Sequence, residues 1–216
     1  MRKIFSASGL FLLLLLVAAP TNADVLNFNL DFLYEGQNSP IGTAPWLAAE
    51  FQSIAGNRVR LTLDSTSLTG NENVGSWYFN YDPIFQFLFA SRVSGPLADI
   101  SIGQNSQNAG SASGFDIGFT FKEKFVEDQS AVFEFFLLAN PANLNLLASS
   151  FNFVNEGGDF FSASQVLGIG PNAAFAWIAD SKSGPGPTPI PEPATMILLS
   201  FGLAGLTIFG RNKFFV

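Results

Sequence analysis

Along most of this chain the large apolar residues fall at every second position. Leu26, Phe28, Leu30, Phe32 and Tyr34 alternate with Asn27, Asn29 and Asp31, the period-2 pattern of a strand with one buried and one wet face. Val59, Leu61 and Leu63 repeat it, with Arg58, Arg60 and Thr62 on the wet side. Trp77-x-Phe79-x-Tyr81 and Phe85-x-Phe87-x-Phe89 flank Asp82-Pro83, which predicts two strands joined by a tight turn. Alternation continues through Phe115–Phe121 and Phe133–Leu137, and ends with Phe151-x-Phe153 and Phe175-x-Trp177. Gly-, Asn- and Ser-rich clusters at 70–73, 104–114 and 155–159 read as turns. The stretch 44–54 (APWLAAEFQSI) suits a helix, and a short helical turn is expected after Pro141. Strand following strand between turn signals predicts an all-β body, an antiparallel β-sandwich or jelly-roll-like barrel.

The two ends break the pattern. Arg2 and Lys3 precede the unbroken apolar run Leu10–Val17, and Ala23 follows with Thr21 two residues before it. This is the three-part layout of a secretory signal, residues 1–23, with cleavage between Ala23 and Asp24. The rival reading, an uncleaved anchor, fits less well because the run is shorter than the ~20 residues a spanning helix prefers. At the other end, Ser183–Ile190 form a Gly/Pro linker, extended and exposed by composition. Pro191-Glu192-Pro193 follow, then the uncharged stretch 194–210, then Arg211 and Lys213. About 17 helical residues reach roughly 25 Å, enough for a thin bilayer. The prolines force the helix to begin after them, and Arg211 and Lys213 hold its end on the cytoplasmic side.

A Pro-Glu-Pro triplet, an apolar helix and a basic end resemble the PEP-CTERM sorting signal of Gram-negative bacteria. The resemblance covers residues 190–213. Two departures stand out: Asn212 separates the two charges, and Phe214-Phe215-Val216 follow them. Such tails also carry the name of an ice-binding protein C-terminal domain, a name that concerns the tail and implies nothing about ice. The resemblance implies export through the Sec machinery and signal peptidase, then transient anchoring by the C-terminal helix. It further implies recognition by exosortase, a membrane-embedded cysteine peptidase, near Pro191, Glu192 and Pro193. Delivery to the cell surface or an exopolysaccharide matrix would follow. Segments 76–80, 94–96, 114–117, 166–170 and 176–178 are similar to stretches of uncharacterised secreted bodies with the same tail, which implies one contiguous domain over 24–182.

Composition narrows what that body does. Four of the ten Lys and Arg lie in the targeting ends, against only Glu192 of the 17 acids, which leaves the body near −10. That charge repels nucleic acid and anionic polysaccharide unless cations bridge them, and it keeps a Phe-rich domain soluble. With neither His nor Cys, the chain lacks a Ser-His-Asp triad, a cysteine nucleophile, His-ligated zinc and disulfides. Gly110-Ser-Ala-Ser-Gly114 places Ala where a nucleophile elbow needs Ser. Glu123, Glu127, Asp128 and Glu134 are the densest acids, a carboxylate supply for glycoside cleavage that reads more simply as a solvated hairpin turn. Asn71–Asn73 and Asn155–Asp159 offer hard oxygens for calcium without a recognised loop spacing. Trp77 and Trp177 sit in alternating strands and are expected in the core, which leaves Trp46 as the exposed candidate for stacking on a sugar.

The expectation is therefore an exported, non-enzymatic structural or adhesive protein with no metal or cofactor, binding exopolysaccharide at most. The alternatives are a matrix-acting glycoside hydrolase and a permanently anchored envelope protein.

Overall fold

The computed structural model of the protein describes residues 24–180, apart from 66 and 141. The signal segment, the linker beyond 180, the sorting triplet, the apolar stretch 194–210 and its basic end lie outside the described residues. Among the described residues no helix is long and apolar enough to cross a membrane.

Ten strands make up the body: β1 Val25–Gly36, β2 Leu47–Ile54, β3 Arg58–Asp64, β4 Asn73–Phe79, β5 Leu88–Ser94, β6 Ala98–Ala109, β7 Ala112–Val126, β8 Ser130–Leu137, β9 Ser162–Ile169 and β10 Ala174–Asp180. They pair in one sheet, ordered β5-β8-β3-β2-β1-β10-β9-β4-β7-β6, and every pairing is antiparallel. The all-β expectation holds. In place of two separate stacked sheets, a single sheet rolls until it nearly closes.

Rolling is visible in ring contacts between strands that are far apart in the sheet. Phe119 of β7 lies 4.6 Å from Phe133 of β8, near opposite edges, and Phe51 of β2 meets Phe79 of β4 at 5.1 Å. One inner core results, with Phe28, Phe51, Phe79, Phe119, Phe133 and Phe135 nearly or wholly without solvent exposure. A flat sheet would leave these rings in water, so the curl follows from the period-2 apolar face itself.

A second, smaller core lies against the rolled sheet. The β6–β7 hairpin slips register between Ile102/Ile117 and Gln107/Phe115. Beyond that break its tip packs on β1 and β10, where Tyr34 Oη donates to the Ala109 carbonyl at 2.7 Å. Phe115, Phe160 and Trp177 close under it with Ala109, Ala112, Ala163 and Ala179. A side chain at Gly110, where φ is +57°, would strike Glu35 and Trp177, so only glycine permits this approach. The tip gives the body its sandwich-like second layer.

Several local expectations are corrected. The segment 44–54 is strand β2, because Leu47, Ala49 and Phe51 point inward at spacing two and both sides pair with neighbours. Residues 77–81 and 85–89 form no hairpin: β4 pairs with β7 and β9, whereas β5 pairs with β8. Asp82 does sit in a turn, accepting Ile84 N at its carboxylate and Phe85 N at its carbonyl. Most of the cluster 104–114 is strand, with the turn confined to Gly110-Ser111. Phe151-x-Phe153 is no strand; Phe151 ends a 3-10 turn, Ala148–Phe151, and stacks on Phe51 at 4.4 Å.

Removing one central ring tests the core. Phe51→Ala is expected to cost about 3–5 kcal/mol, whereas Phe32→Ala, at a ring 39% exposed, costs about 1 kcal/mol or less. Urea denaturation of the two variants beside the parent reads the difference.

Candidate functional site

The sheet has two edges, and they face each other. β5 and β6 are joined only by Gly95-Pro96-Leu97, yet they do not pair. At Gly95 φ is +86°, and a Cβ there would lie 2.4 Å from the Ser130 carbonyl oxygen, so this connection again needs glycine. Away from it the strands diverge and leave a cleft of about 560 Å³. Leu88, Phe89 and Ala90 form one wall; Ile100, Ile102, Gly103 and Gln104 form the other, with Tyr81 and Gln86 beside them. Ala90, Ile100 and Ile102 touch the inner core while only partly buried. The seam therefore exposes core-facing side chains together with two unpaired strand edges.

Hydrogen bonds tie one wall, β6, to the 80–87 loop. Asp116 sits at the register break of β7 and is 8% exposed. One of its oxygens accepts Asn105 N at 2.7 Å and the other accepts Tyr81 N at 3.1 Å. Gln104 Nε2 donates to the Pro83 carbonyl at 3.1 Å. Together these bonds tie the β6 bulge to the 80–87 loop. Burial, then the nearby Asp116 charge, push the Tyr81 phenol above its usual range, so it stays a neutral donor.

Apolar exposure concentrates around β5. Ile84, Phe87, Phe89, Val93 and Leu97 are all between 44% and 54% exposed. Next to them a smaller hollow of about 210 Å³ lies between the 84–87 turn and Leu137–Leu144.

Of the residues singled out from sequence, Pro191, Glu192, Pro193, Arg211, Lys213 and Ala23 lie outside the described residues. Asp24 is tied in at the start of the body: its carboxylate accepts Ser149 N at 2.9 Å and its carbonyl accepts Ser53 N. Trp46 is corrected. It is 8% exposed, no more than Trp177, and its indole N–H donates to the Gly42 carbonyl at 2.8 Å. A ring covered this way gives a sugar no open face. Trp77 is wholly buried, with its Nε1 on Ser162 Oγ.

The acids do not converge. Glu127 and Asp128 are exposed on the β7–β8 connection, which joins unpaired strands and is not a hairpin turn. Glu123 accepts Leu97 N, and Glu134 is held by Arg60 and Arg58 at 2.9 and 3.2 Å. The Arg60 hydrogen bond leads the causes that hold the Glu134 carboxyl below its usual range, the wrong direction for a general acid. In the two candidate calcium loops Glu72 and Asn155 spend side-chain oxygens on backbone: Glu72 accepts Thr69 N and Ile41 N, and Asn155 Oδ1 accepts Asp159 N and Phe160 N. Among the described residues no three acids gather as metal ligands.

Sequence reasoning missed the seam because β6 reads as a turn-rich stretch. Ile100 and Ile102, alternating with Asp99 and Ser101, were the available signal.

Comparison with known families adds the function-bearing end. The PEP-CTERM protein-sorting motif matches at residues 189–213. No curated protein and no solved structure matches the chain. The chain is thus an exported protein of the exosortase-sorted class. It is a PEP-CTERM sorting motif-containing protein whose all-β body is rolled around a phenylalanine core.

Two variants check the seam and its neighbourhood. Asp116→Ala leaves the buried Tyr81 N–H and the half-buried Asn105 N–H without their acceptor, a loss of roughly 2–4 kcal/mol; amide exchange at Tyr81 and Asn105 should accelerate more than elsewhere. Asp180, at the end of β10, is raised by burial from 3.8 to about 6 although Ser162 N and Phe161 N bond to it. Its folded carboxyl holds a proton more tightly than its unfolded one, so its contribution to stability falls as pH rises from about 4 through about 6. Asp180→Asn keeps the acceptor oxygen and should remove about 2 kcal/mol of that pH dependence, read from urea midpoints at the two ends of the window.

Proposed function

We propose that this protein is a non-catalytic structural or adhesive component of the extracellular matrix, exported, anchored briefly by its C-terminal helix, and released by exosortase at Pro191–Pro193. The observation that carries the reading is the sorting motif at residues 189–213 on a chain without His or Cys. Glu72, Asp116, Asn155 and Asp180 hold backbone amides in place, and Glu134 is committed to two arginines. Such groups brace loops and strands. A body near −10 meets an acidic matrix polymer through apolar and backbone contacts, or through bridging cations.

Mass spectrometry of the protein from cells with and without exosortase tests the sorting step. The expected C-terminus falls near residues 190–194 when the enzyme is present and at Val216 when it is absent. A chain ending at Val216 in both would favour the permanent anchor. Glu192→Ala is expected to leave uncut chain in the membrane fraction.

A further inference from the structure

Exposed apolar surface gathers at one end of the rolled sheet. Phe79 of β4 pairs with Ser162 of β9, Ala163 with Ala179 of β10, and Leu88 of β5 with Leu137 of β8. The connections 80–87 and 138–161 join those strand ends, so both lie at the end of the body where β10 stops at Asp180. They touch each other: Asp82 N donates to the Ser150 carbonyl at 2.8 Å, and Leu138 N to the Phe87 carbonyl at 3.1 Å. Asp180 is linked to them through Phe161, whose N–H it accepts at 3.0 Å and whose carbonyl accepts Asn80 Nδ2. These connections make up about a fifth of the described residues, yet they carry six of the twelve large apolar side chains exposed among them. Ile84, Phe87, Leu138 and Leu147 stand out, at 42% to 62% exposure. Scattered apolar residues need no partner, but a contiguous group of them marks a contact surface.

Several polar side chains at this end hold loop backbone instead of facing water. Asn140 brackets Leu144 with two bonds of 2.7 Å, Asn57 holds Leu146 N and the Leu144 carbonyl, and Ser150 Oγ accepts Leu147 N. The bordering acids Asp82 and Asp24 accept Ile84 N and Ser149 N. On a body near −10, residues 83–91 and 135–155 carry no charge at all. The charged part of the second connection begins at Glu156, which is bound to the β6–β7 hairpin at the Gly114 carbonyl. Asn143 and Asn145, exposed beside Leu147, are neutral. Loops that satisfy backbone from within and turn uncharged aliphatic and aromatic side chains outward suit the boundary between lipid headgroups and acyl chains.

We propose that this end of the body is a bilayer-docking surface, and that the uncharged parts of the two connections rest on the lipid interface while the chain is still anchored. The inference rests on the transient anchoring proposed above. Ten residues separate Asp180 from Pro191, at most about 40 Å of chain, so an anchored chain holds this surface near lipid at high local concentration. Apolar loops alone bind a bilayer marginally, and stable attachment takes a second signal. Cutting near Pro191–Pro193 removes the second signal and lets the body leave. Attachment is thereby made conditional on the uncut tail.

The test uses the full-length chain reconstituted into phosphatidylcholine vesicles. The chain has no cysteine, so Ile84→Cys, Leu138→Cys and Ile41→Cys each create one site for a fluorophore. Ile41 is 66% exposed on the β1–β2 connection, at the opposite end of the body. A nitroxide carried on lipid should quench the labels at 84 and 138 roughly fivefold or more beyond the label at 41, which a strand's length keeps clear of the interface. Phe87→Glu with Leu147→Glu, both at exposed positions, should bring the label at 138 down to the level of the label at 41. The comparison among the three labels stands even if that double variant fails to fold. Equal quenching of all three labels on chains that float with the vesicles would overturn docking. Quenching at 138 that survives the double variant would overturn it too. So would shielding at 84 and 138 that grows with the protein-to-lipid ratio, the mark of a second copy as occupant. Chains that do not float with the vesicles would overturn the anchoring itself, and docking with it. Sorting is read separately from the C-terminal mass, so failure of one reading is distinguishable from failure of the other.

Discussion

The fold hangs on Phe51. Its ring lies 5.9 Å from Phe28 of β1, 5.1 Å from Phe79 of β4, 6.0 Å from Phe135 of β8 and 4.4 Å from Phe151 of the 3-10 turn. Phe28 is on the neighbouring strand and Phe135 two strands away, but Phe79, four strands away in the sheet, meets Phe51 only if the sheet curls over itself. With no disulfide available, burial of these rings supplies the force that holds the roll. Edge-to-face and stacked pairs at such separations add about 0.5–1.5 kcal/mol each beyond burial. A cluster that tolerates several ring geometries suits a protein that must fold after export without covalent staples.

The same curl creates the seam. Ten strands roll far enough to bury the phenylalanines, yet β5 and β6 diverge from a three-residue connection and are never zipped. Closing the gap would require the β6 bulge to straighten, and Asp116 opposes this by holding both Asn105 and Tyr81. Exposed apolar side chains occur elsewhere too, Phe153, Val154 and Phe175 among them; what sets the seam apart is its two unpaired strand edges. The sorting signal takes the protein outside, and the seam is where the body has unfinished hydrogen bonding.

Period-2 alternation made much of this legible beforehand. β1 and β3 announce themselves, since their inward residues are large and their outward ones mostly polar; β7, β8 and β10 show the same spacing of large residues, although Phe136 is only half-buried and Phe175 is exposed. β2 was hidden because Ala48, Ala49 and Glu50 are good helix formers, and pairing on both sides overrides that preference. β6 was hidden because an edge strand needs few apolar residues and its Gly-Gln-Asn run looks like a turn. Which strands pair could not be read at all. Asp82-Pro83 signals a turn correctly, but whether a turn makes a hairpin depends on contacts remote in sequence. Trp46 misled for a related reason: an irregular segment was equated with exposure, whereas its indole is drawn under the loop by the Gly42 carbonyl. The tail, by contrast, is a local signal, and three ordered parts sufficed to identify it.

Residue-resolved hydrogen exchange on the dilute protein tests the rolled but unclosed sheet most directly. Within β5, amides facing β8 should be protected, while alternate amides facing the seam exchange faster by several orders of magnitude; β1, β2 and β10 should be protected on both sides. Uniform protection across β5 and β6 would mean that the two strands pair and the barrel is closed, and would contradict the account.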